Sequence, residues 1–427
     1  MKYALRNGIL LDGSKNMECQ TNKVILIEDQ KIQAIEDEPF DTTGYEVIDL
    51  YGRYVLPGLI NMHVHIPGSG KPQKKQRDTA ALVQFILSNK FTQKVGYELC
   101  ASYAQTELMS GVTTIRTVGG IADFDTRLRD DILAGKRVGP RILASNEAIS
   151  VPDGHMAGSV AVIAHNVEEA VQYVEELAKQ KPDLIKLMIT GGVLDAKEKG
   201  VPGEMKMPVA MIKAACDKAH QLGFKVAAHV ESTEGVRLAL QNGVDSIEHG
   251  AKPDEEIIRL FKEHNSFLCT TLSPALPYAL FERSVSHASE VEQYNGEMVF
   301  NGIIDCAKAA LENDIPIALG NDVGCPYITH YDFWRELYYF TKYVGVSNQF
   351  ALYTATLRNA ELAGIDQVTG SITPGKDADL IVVAGNPLED IKALRNVKHV
   401  FARGNLIKYP TVNRMEECDR ELDKFLD

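Results

Sequence analysis

Six side chains that could bind divalent cations lie within, or just beyond, short apolar segments of this sequence. They are His63, His65, Lys186, His229, His249 and Asp322. Imidazole and carboxylate are nitrogen and oxygen ligands that suit Zn²⁺, Mn²⁺ or a similar ion, and no thiolate is among them. A lone strand-terminal histidine is more often a hydrogen-bonded core residue, and a lone aspartate there is often a helix N-cap. Six coincidences of this kind are improbable, so the pattern predicts a metal site.

The first two histidines belong to the segment Leu59–Ile66, which is typical of a β-strand. Strand alternation sends Asn61, His63 and His65 to one face. The opposite face is apolar and suited to packing on helices, with Ile60, Met62, Val64 and Ile66. A His-x-His pair is common by chance, but this one ends the first predicted strand of the repeated units described below. Active sites of barrel enzymes are built at that end of the strands.

Lys186 lies inside the apolar segment Asp183–Thr190, and alternation points its side chain inward. A buried, unpaired ammonium is costly and tends to lose its proton. A neutral amine can react with CO₂ to form a carbamate, whose two oxygens could bridge a pair of divalent cations. The alternative is a lysine that extends to the rim of the sheet or forms a buried ion pair, and this segment alone leaves both open.

These residues need a scaffold, and from residue 57 onward short β-type segments alternate with longer helical ones. Eight such strand segments are predicted: Leu59–Val64, Val112–Val118, Arg141–Ser145, Leu184–Ile189, Lys225–Val230, Asp245–His249, Phe267–Thr271 and Ile315–Leu319. Apolar residues recur at helical spacing between them, as in Val167–Gln180, Pro208–Leu222 and Thr233–Asn242. Repeated βα units favour a parallel sheet, and eight of them predict an α/β fold that closes as a (β/α)₈ TIM barrel.

The two ends of the chain have a different pattern. Short strand-like segments punctuated by Gly, Asn and Asp occur at Tyr3–Leu11, Lys23–Glu28, Lys31–Ile35, Leu380–Ala384 and Lys398–Arg403. We expect both ends to meet in one small β-sandwich. The predicted domains are therefore the sandwich, residues 1–56 plus 366–427, and the barrel, residues 57–365.

Composition excludes several classes of function. The 427 residues carry a net charge of −13, which argues against nucleic-acid binding. The one basic cluster, Lys71 with Lys74, Lys75 and Arg77, is interpreted as a solvated loop. Seven scattered cysteines without a CxxC pair argue against a disulfide framework. The first residues lack the uninterrupted apolar stretch that is typical of a signal peptide, and no apolar run reaches membrane length, so we expect a cytoplasmic protein with a small-molecule substrate and no membrane partner. A homo-oligomer is compatible with it.

Several motifs resemble the amidohydrolase superfamily, and its Xaa-Pro dipeptidase (prolidase) and imidazolonepropionase-like branch in particular. They are LPGLINMHVH at 56–65, IKLMITGGV at 185–193, SIEHG at 246–250, GND at 320–322 and GKDADL at 375–380. The resemblance covers nearly the whole chain.

This resemblance implies a role for each candidate ligand. His63 and His65 would bind the more buried of two divalent metal ions, and His229 and His249 the more exposed one. Carboxylated Lys186, a CO₂-derived carbamate, would bridge them. Zn²⁺ is the first candidate ion, with Mn²⁺ or Fe²⁺ as alternatives. Asp322 would ligate the buried metal and act as general base on a metal-bridging hydroxide, leading to hydrolysis of an amide or peptide bond in a small substrate such as a dipeptide.

The residues expected to contact substrate follow the family pattern less closely. The dipeptidase branch would have a tyrosine two residues after the fifth-strand histidine, whereas this chain has Glu231. Glu231 could contact substrate, orient a ligand or cap the following helix. His155 resembles a family histidine that helps to recognise the substrate's carboxylate or carbonyl, or it could anchor a Gly-rich loop. Tyr327 and His330, in a loop after the eighth strand, are further candidates.

Other functions are weighed against the dipeptidase. A related enzyme could act on a cyclic amide, an imidazolone or an N-acyl amino acid. A deaminase is disfavoured, because mononuclear deaminases of the superfamily carry His-x-x-Glu after strand five, where this chain has Ser232, and they lack the bridging lysine. A non-catalytic scaffold is the remote alternative, because loss of catalysis usually erases the metal ligands.

Overall fold

The computed structural model describes residues 1–73 and 78–426, so that Lys74, Lys75 and Arg77 of the predicted basic loop lie outside the described residues. The strands are β1 (Lys2–Arg6), β2 (Ile9–Leu10), β3 (Lys23–Glu28), β4 (Lys31–Asp37), β5 (Glu46–Asp49), β6 (Tyr54–Pro57), β7 (Leu59–Val64), β8 (Val112–Thr117), β9 (Arg141–Leu143), β10 (Ala148–Ser150), β11 (Ala161–Ile163), β12 (Leu184–Met188), β13 (Lys225–Val230), β14 (Ser246–His249), β15 (Phe267–Thr270), β16 (Ile317–Leu319), β17 (Leu380–Val383), β18 (Val397–Ala402) and β19 (Asn405–Lys408).

Helices follow most strands of the central region. They are α1 (Thr79–Leu87), α2 (Lys90–Met109), α3 (Phe124–Leu133), α4 (Val167–Lys179), α5 (Val209–Gln221), α6 (Thr233–Gln241), α7 (Glu255–His264), α8 (Leu276–Leu280), α9 (Arg283–Ser286), α10 (Glu290–Glu312), α11 (Phe333–Tyr339), α12 (Asn348–Tyr353), α13 (Asn359–Ala363) and α14 (Glu416–Leu422). Side chains of Asn166, Ser232 and Asp254 cap α4, α6 and α7, as expected of good N-cap residues. Within the described residues, no helix is long and apolar enough to span a bilayer.

Two parallel sheets form the centre of the molecule. One has the order β7-β8-β9, and the other the order β11-β10-β12-β13-β14-β15-β16. Backbone hydrogen bonds join the two sheets at two places: Asp322 N–H, after β16, donates to the His63 carbonyl at 3.0 Å, and Asp183 N–H, just before β12, donates to the Ala144 carbonyl at 2.7 Å. All eight predicted strand segments contain a strand, and the short strands β10 and β11 were not predicted.

The chain ends form two further sheets, with the orders β4-β3-β1-β5 and β19-β18-β17-β6-β2. In the second sheet, β6 from the N-terminal part pairs antiparallel with β17 from the C-terminal part, and Leu56 lies opposite Ile381. An apolar cluster that includes Leu5, Ile27 and Val382 is buried by these strands. Both ends of the chain therefore contribute to one packed region.

Candidate metal centre

His63 and His65 lie at the carboxyl end of β7, as the sequence predicts. Simple alternation fails for their neighbour Met62, which it assigns to the outer face. Met62 packs in one apolar cluster with Cys269, whose sulfur lies near the ring of His63. The pairing of β7 with β8 shifts register in this part of the strand, and such an irregularity redirects side chains. The outward prediction for Met62 is therefore wrong, and the inward prediction for His63 is correct.

A left-handed backbone conformation turns two more candidate ligands, His249 and Asp322, toward His63. Alternation would place Glu248 and His249 on opposite faces of β14, yet both contact His63, whose ring centroid lies 4.9 Å from that of His249. The φ angles of His249 and Asp322 are 68° and 53°, which residues other than glycine rarely adopt. Such positions cost about 1–3 kcal/mol each and cluster at functional sites.

The carboxylate of Asp322 lies between the histidines. Its Oδ1 is 3.4 Å from Nε2 of both His63 and His65, and it is buried without a hydrogen-bond partner among the described residues. Burial opposes ionisation, but the neighbouring histidines and Lys186 outweigh it and lower the pKa of Asp322 to about 2. Asp322 is therefore an ionised acceptor that no protein donor satisfies.

Lys186 occupies the middle of β12 and is fully buried. Its Nζ has no hydrogen-bond partner in the part of the chain that the structure describes. Burial lowers the pKa of Lys186 from 10.5 to about 8, and the positive charge of Arg116 acts in the same direction. The carboxylates of Glu248 and Asp322 oppose this shift. The structure places Lys186 inside the strand core without a hydrogen-bond partner among the described residues, and its lowered pKa increases the fraction of neutral amine.

A buried ion pair that sequence reasoning missed supports His63 from behind. Nδ1 of His63 lies 2.7 Å from Glu248 Oε2, and Arg116 donates to both Glu248 oxygens at 2.8 Å. Burial opposes ionisation of Glu248, but Arg116 and Lys186 hold its pKa well below the usual range. The carboxylate therefore accepts from Nδ1–H, leaving Nε2 of His63 with its lone pair. The available signal was Arg116 itself, the charged residue of the otherwise uncharged strand β8.

The remaining imidazoles are also suited to bind metal. Burial lowers the pKa of His65 to about 4 and shifts the pKa of the other three histidines in the same direction, so all four are neutral at pH 7. His65 Nδ1 donates to the Gly119 carbonyl at 2.9 Å, and His249 Nδ1 lies 2.7 Å from Thr271 Oγ1. These contacts at Nδ1 leave Nε2 of His65 and His249 as the available ligand atom. In His229, Nε2 itself lies 3.3 Å from the Gly191 carbonyl.

His155, a predicted substrate residue, lies beside the histidine cluster. It is held by Asp195, which the sequence did not indicate. Its ring stacks on that of His229, with centroids 4.0 Å apart and planes 5° from parallel. Nδ1 of His155 lies 2.6 Å from Asp195 Oδ2, which also accepts from Gly192 N–H at 2.8 Å. Asp195 comes from the loop after β12, so two loops fix the position of this imidazole.

Glu231 follows β13 and also faces the cluster. Its Oε2 is buried and has no hydrogen-bond partner among the described residues. Burial raises the pKa of Glu231 to about 8, assisted by Asp322 and Asp195. A cavity of about 410 Å³ opens beside it and is lined in part by Gly250 and Met298.

The other two predicted substrate residues, His330 and Tyr327, form hydrogen bonds with other parts of the protein. His330 is buried, with Nε2 2.7 Å from the Gly68 carbonyl and Nδ1 3.2 Å from Glu107. Tyr327 donates its hydroxyl to the Val285 carbonyl at 2.9 Å. These contacts anchor loops and leave neither side chain a free polar group for substrate, which does not favour the substrate-contact prediction for either residue.

The donor set fits divalent cations. Ligand atoms of His63, His249 and Asp322 lie within 4.8 Å of one another, as do those of His229, Glu231 and His249. Neutral imidazoles and carboxylates are ligands for borderline and hard ions. The unpartnered Lys186 Nζ and Asp322 Oδ1 are buried polar atoms that need such a partner.

The fold and the polar cluster together agree with one family of hydrolases. The model of the amidohydrolase family matches residues 54–407, and the chain belongs to this family.

Solved structures and a curated relative agree with this assignment. A Bifidobacterium longum protein designated a prolidase is 35% identical with a TM-score of 0.87, over 99% of this chain and 98% of that one. A Xaa-Pro dipeptidase with methionine in its active site is 31% identical with a TM-score of 0.83, over 96% and 100% of the two chains. Ochratoxinase of Aspergillus niger is 26% identical over 86% of this chain and 78% of its own length. The resemblance to the prolidase branch is confirmed.

Proposed function

We propose that this chain is a binuclear metal-dependent amidohydrolase that cleaves the peptide bond of a dipeptide. The observation that supports this most is the convergence of six ligand-type side chains from within or just beyond five strands, with Lys186 Nζ and Asp322 Oδ1 buried and without a partner among the described residues. Structural relatives named prolidase and Xaa-Pro dipeptidase, at 35% and 31% identity, favour a dipeptide with proline after the scissile bond.

His63, His65 and Asp322 would hold one ion, His229 and His249 the other, and a carbamate on Lys186 would bridge them. Zn²⁺ is proposed for both positions. Bound ions of this kind make hydroxide available near neutral pH and polarise a scissile carbonyl. The carbamate would form when neutral Lys186 Nζ attacks CO₂ and releases one proton, and the lowered pKa of Lys186 increases the fraction of neutral amine.

The chain's own residues then handle protons and orientation. Asp322 is ionised and its Oδ1 is free of protein donors, so it would accept the proton of the attacking water and return it to the departing amine. Glu248 keeps His63 in one tautomer and one orientation. His155, held by Asp195, would donate to the carbonyl or carboxylate of the substrate.

The finer fold follows the same proposal. The two parallel sheets would form one (β/α)₈ barrel, residues 57–365, because backbone hydrogen bonds link them after β16 and before β12 and Val64 bridges Val323 in parallel. The two sheets of the chain ends, residues 1–56 and 366–427, would form the β-sandwich. The proposed site then lies at the carboxyl ends of the barrel strands.

A second candidate is a hydrolase of a cyclic amide, an imidazolone or an N-acyl amino acid. The observation that favours it is Glu231, which occupies the place where the dipeptidase branch would have tyrosine. The substrate side chain would enter the cavity of about 410 Å³ beside Glu231 in either case.

A hydrolysis screen of the Zn²⁺- or Mn²⁺-reconstituted protein tests this proposal. Substrates are Xaa-Pro and other dipeptides, N-acyl amino acids and lactams. We expect turnover of Xaa-Pro dipeptides and its loss in Lys186→Ala, while Lys213→Ala, an exposed lysine paired with Asp217, keeps full activity. Turnover of lactams alone would favour the second candidate. A protein that binds no divalent ion would favour the scaffold.

A further inference from the structure

The carboxylate of Glu231 has one buried oxygen atom without a partner among the described residues. Its Oε2 is inaccessible to solvent and without a hydrogen-bond partner in the described chain, although its backbone N–H donates to Thr190 Oγ1 at 3.0 Å. A buried carboxylate oxygen without a donor needs a cation or another polar partner.

The loop after β12 closes over this carboxylate. A Cβ atom added to Gly192 would lie 3.4 Å from Glu231 Oε2 and 3.2 Å from His155 Cε1. A Cβ atom added to Gly203 would lie only 2.4 Å from the Glu231 carbonyl. The loop backbone therefore packs directly on the Glu231 main chain and lies close to its carboxylate.

The carboxylate lies instead among ligand atoms. Carboxylate and ring nitrogen atoms of Glu231, His229 and His249 all lie within 4.8 Å of one another. The ring centroids of the two histidines are 4.7 Å apart. Divalent cations accept two imidazoles and one carboxylate as a common protein ligand set.

We propose that Glu231 is a third protein ligand of the more exposed ion, joining His229 and His249. This inference rests on the proposed function, because that function supplies the ion. It replaces the substrate contact considered for Glu231 with metal ligation, and a tyrosine at this position would not supply a carboxylate ligand. The chain would thereby hold its second ion more tightly than a site with two protein histidines and the bridging group.

Titration of the chelator-treated, full-length protein with Co²⁺ tests this, by calorimetry and by the visible absorption of bound Co²⁺. We expect two ions in the native chain. In Glu231→Gln, we expect one ion with unchanged affinity and a second bound at least about 10–100-fold more weakly, the range seen when support for a metal ligand is removed. Glu231→Asp, which keeps the charge, should recover part of that affinity.

Glu234→Gln is the matched control, because Glu234 lies one helical turn away, is largely exposed and pairs with Arg237. It should bind both ions as the native chain does. Circular dichroism of the metal-free variants verifies that they fold. Two ions bound to Glu231→Gln with native affinities would overturn the inference and leave the proposed function standing. This holds even if that variant lost dipeptidase activity, because Glu231 would then contact the substrate. A native chain that binds no Co²⁺ would overturn both.

Discussion

Replacing Arg116 by methionine removes the partner of a carboxylate that stays buried. Arg116 donates to both oxygens of Glu248 at 2.8 Å and to the Met62 carbonyl at 2.7 Å. Breaking a buried pair by removing one partner costs about 3–5 kcal/mol, because the remaining charge is left unpaired in a medium of low polarity. We expect Arg116→Met to lose about that much free energy of unfolding.

The double variant Arg116→Met/Glu248→Gln separates pairing from packing. With neither charge buried, its loss should fall short of the sum of the two single losses by about 2–3 kcal/mol, as for residues in one network. Urea unfolding without metal, followed by circular dichroism, measures the stability of the native chain, Arg116→Met, Glu248→Gln and the double variant. Lys213→Met, at an exposed ion pair, is the control and should change nothing measurable. Additive losses, or a single variant as stable as the native chain, would refute the reasoning.

Three further predictions concern stability and metal affinity. Burial raises the pKa of Asp125 from 3.8 to about 6. The contribution of Asp125 to the free energy of unfolding is therefore fully present below pH 4 and is lost as the pH rises to 6. The free energy of unfolding should fall by about 3 kcal/mol across that window. Urea unfolding of Asp125→Asn should show a shallower slope, and equal slopes would contradict this. Thr271→Val removes the partner of His249 Nδ1 and should weaken Co²⁺ binding about 10–100-fold by calorimetry; unchanged affinity would count against this role. In Gly320→Ala, the new Cβ would lie 2.5 Å from His63 N and Cβ. Lower thermal stability and weaker metal binding are therefore expected. Native values for both would show that the backbone at Gly320 can shift away from His63 without cost.

The order of strands and helices could be predicted because it depends on local patterns. Apolar runs such as Lys225–Val230 coincide with strand β13, and Ser232 caps the helix that follows. The buried position of Lys186 could also be predicted, because the apolar residues on both sides of it in the sequence must themselves be buried. Both inferences need only neighbouring residues.

The support of the site could not be predicted in the same way. Arg116 and Glu248 are 132 positions apart, and alternation cannot reveal a pairing across strands. Alternation also fails where the backbone departs from a regular strand, as at Met62 and at His249 with its φ of 68°. The prediction for His330 depends on its loop position, which does not determine the direction in which a side chain points.

The pairing of β6 with β17 bears on the synthesis of this protein. Strands β2 and β6 are translated before the whole central region of the chain, and their sheet partners β17, β18 and β19 are translated after it. A two-stranded fragment is marginal alone, so the edge of β6 stays open to non-native pairing until β17 has been translated. Chains that stall or are cleaved before Leu380 would present this edge, and aggregation of such fragments should begin there.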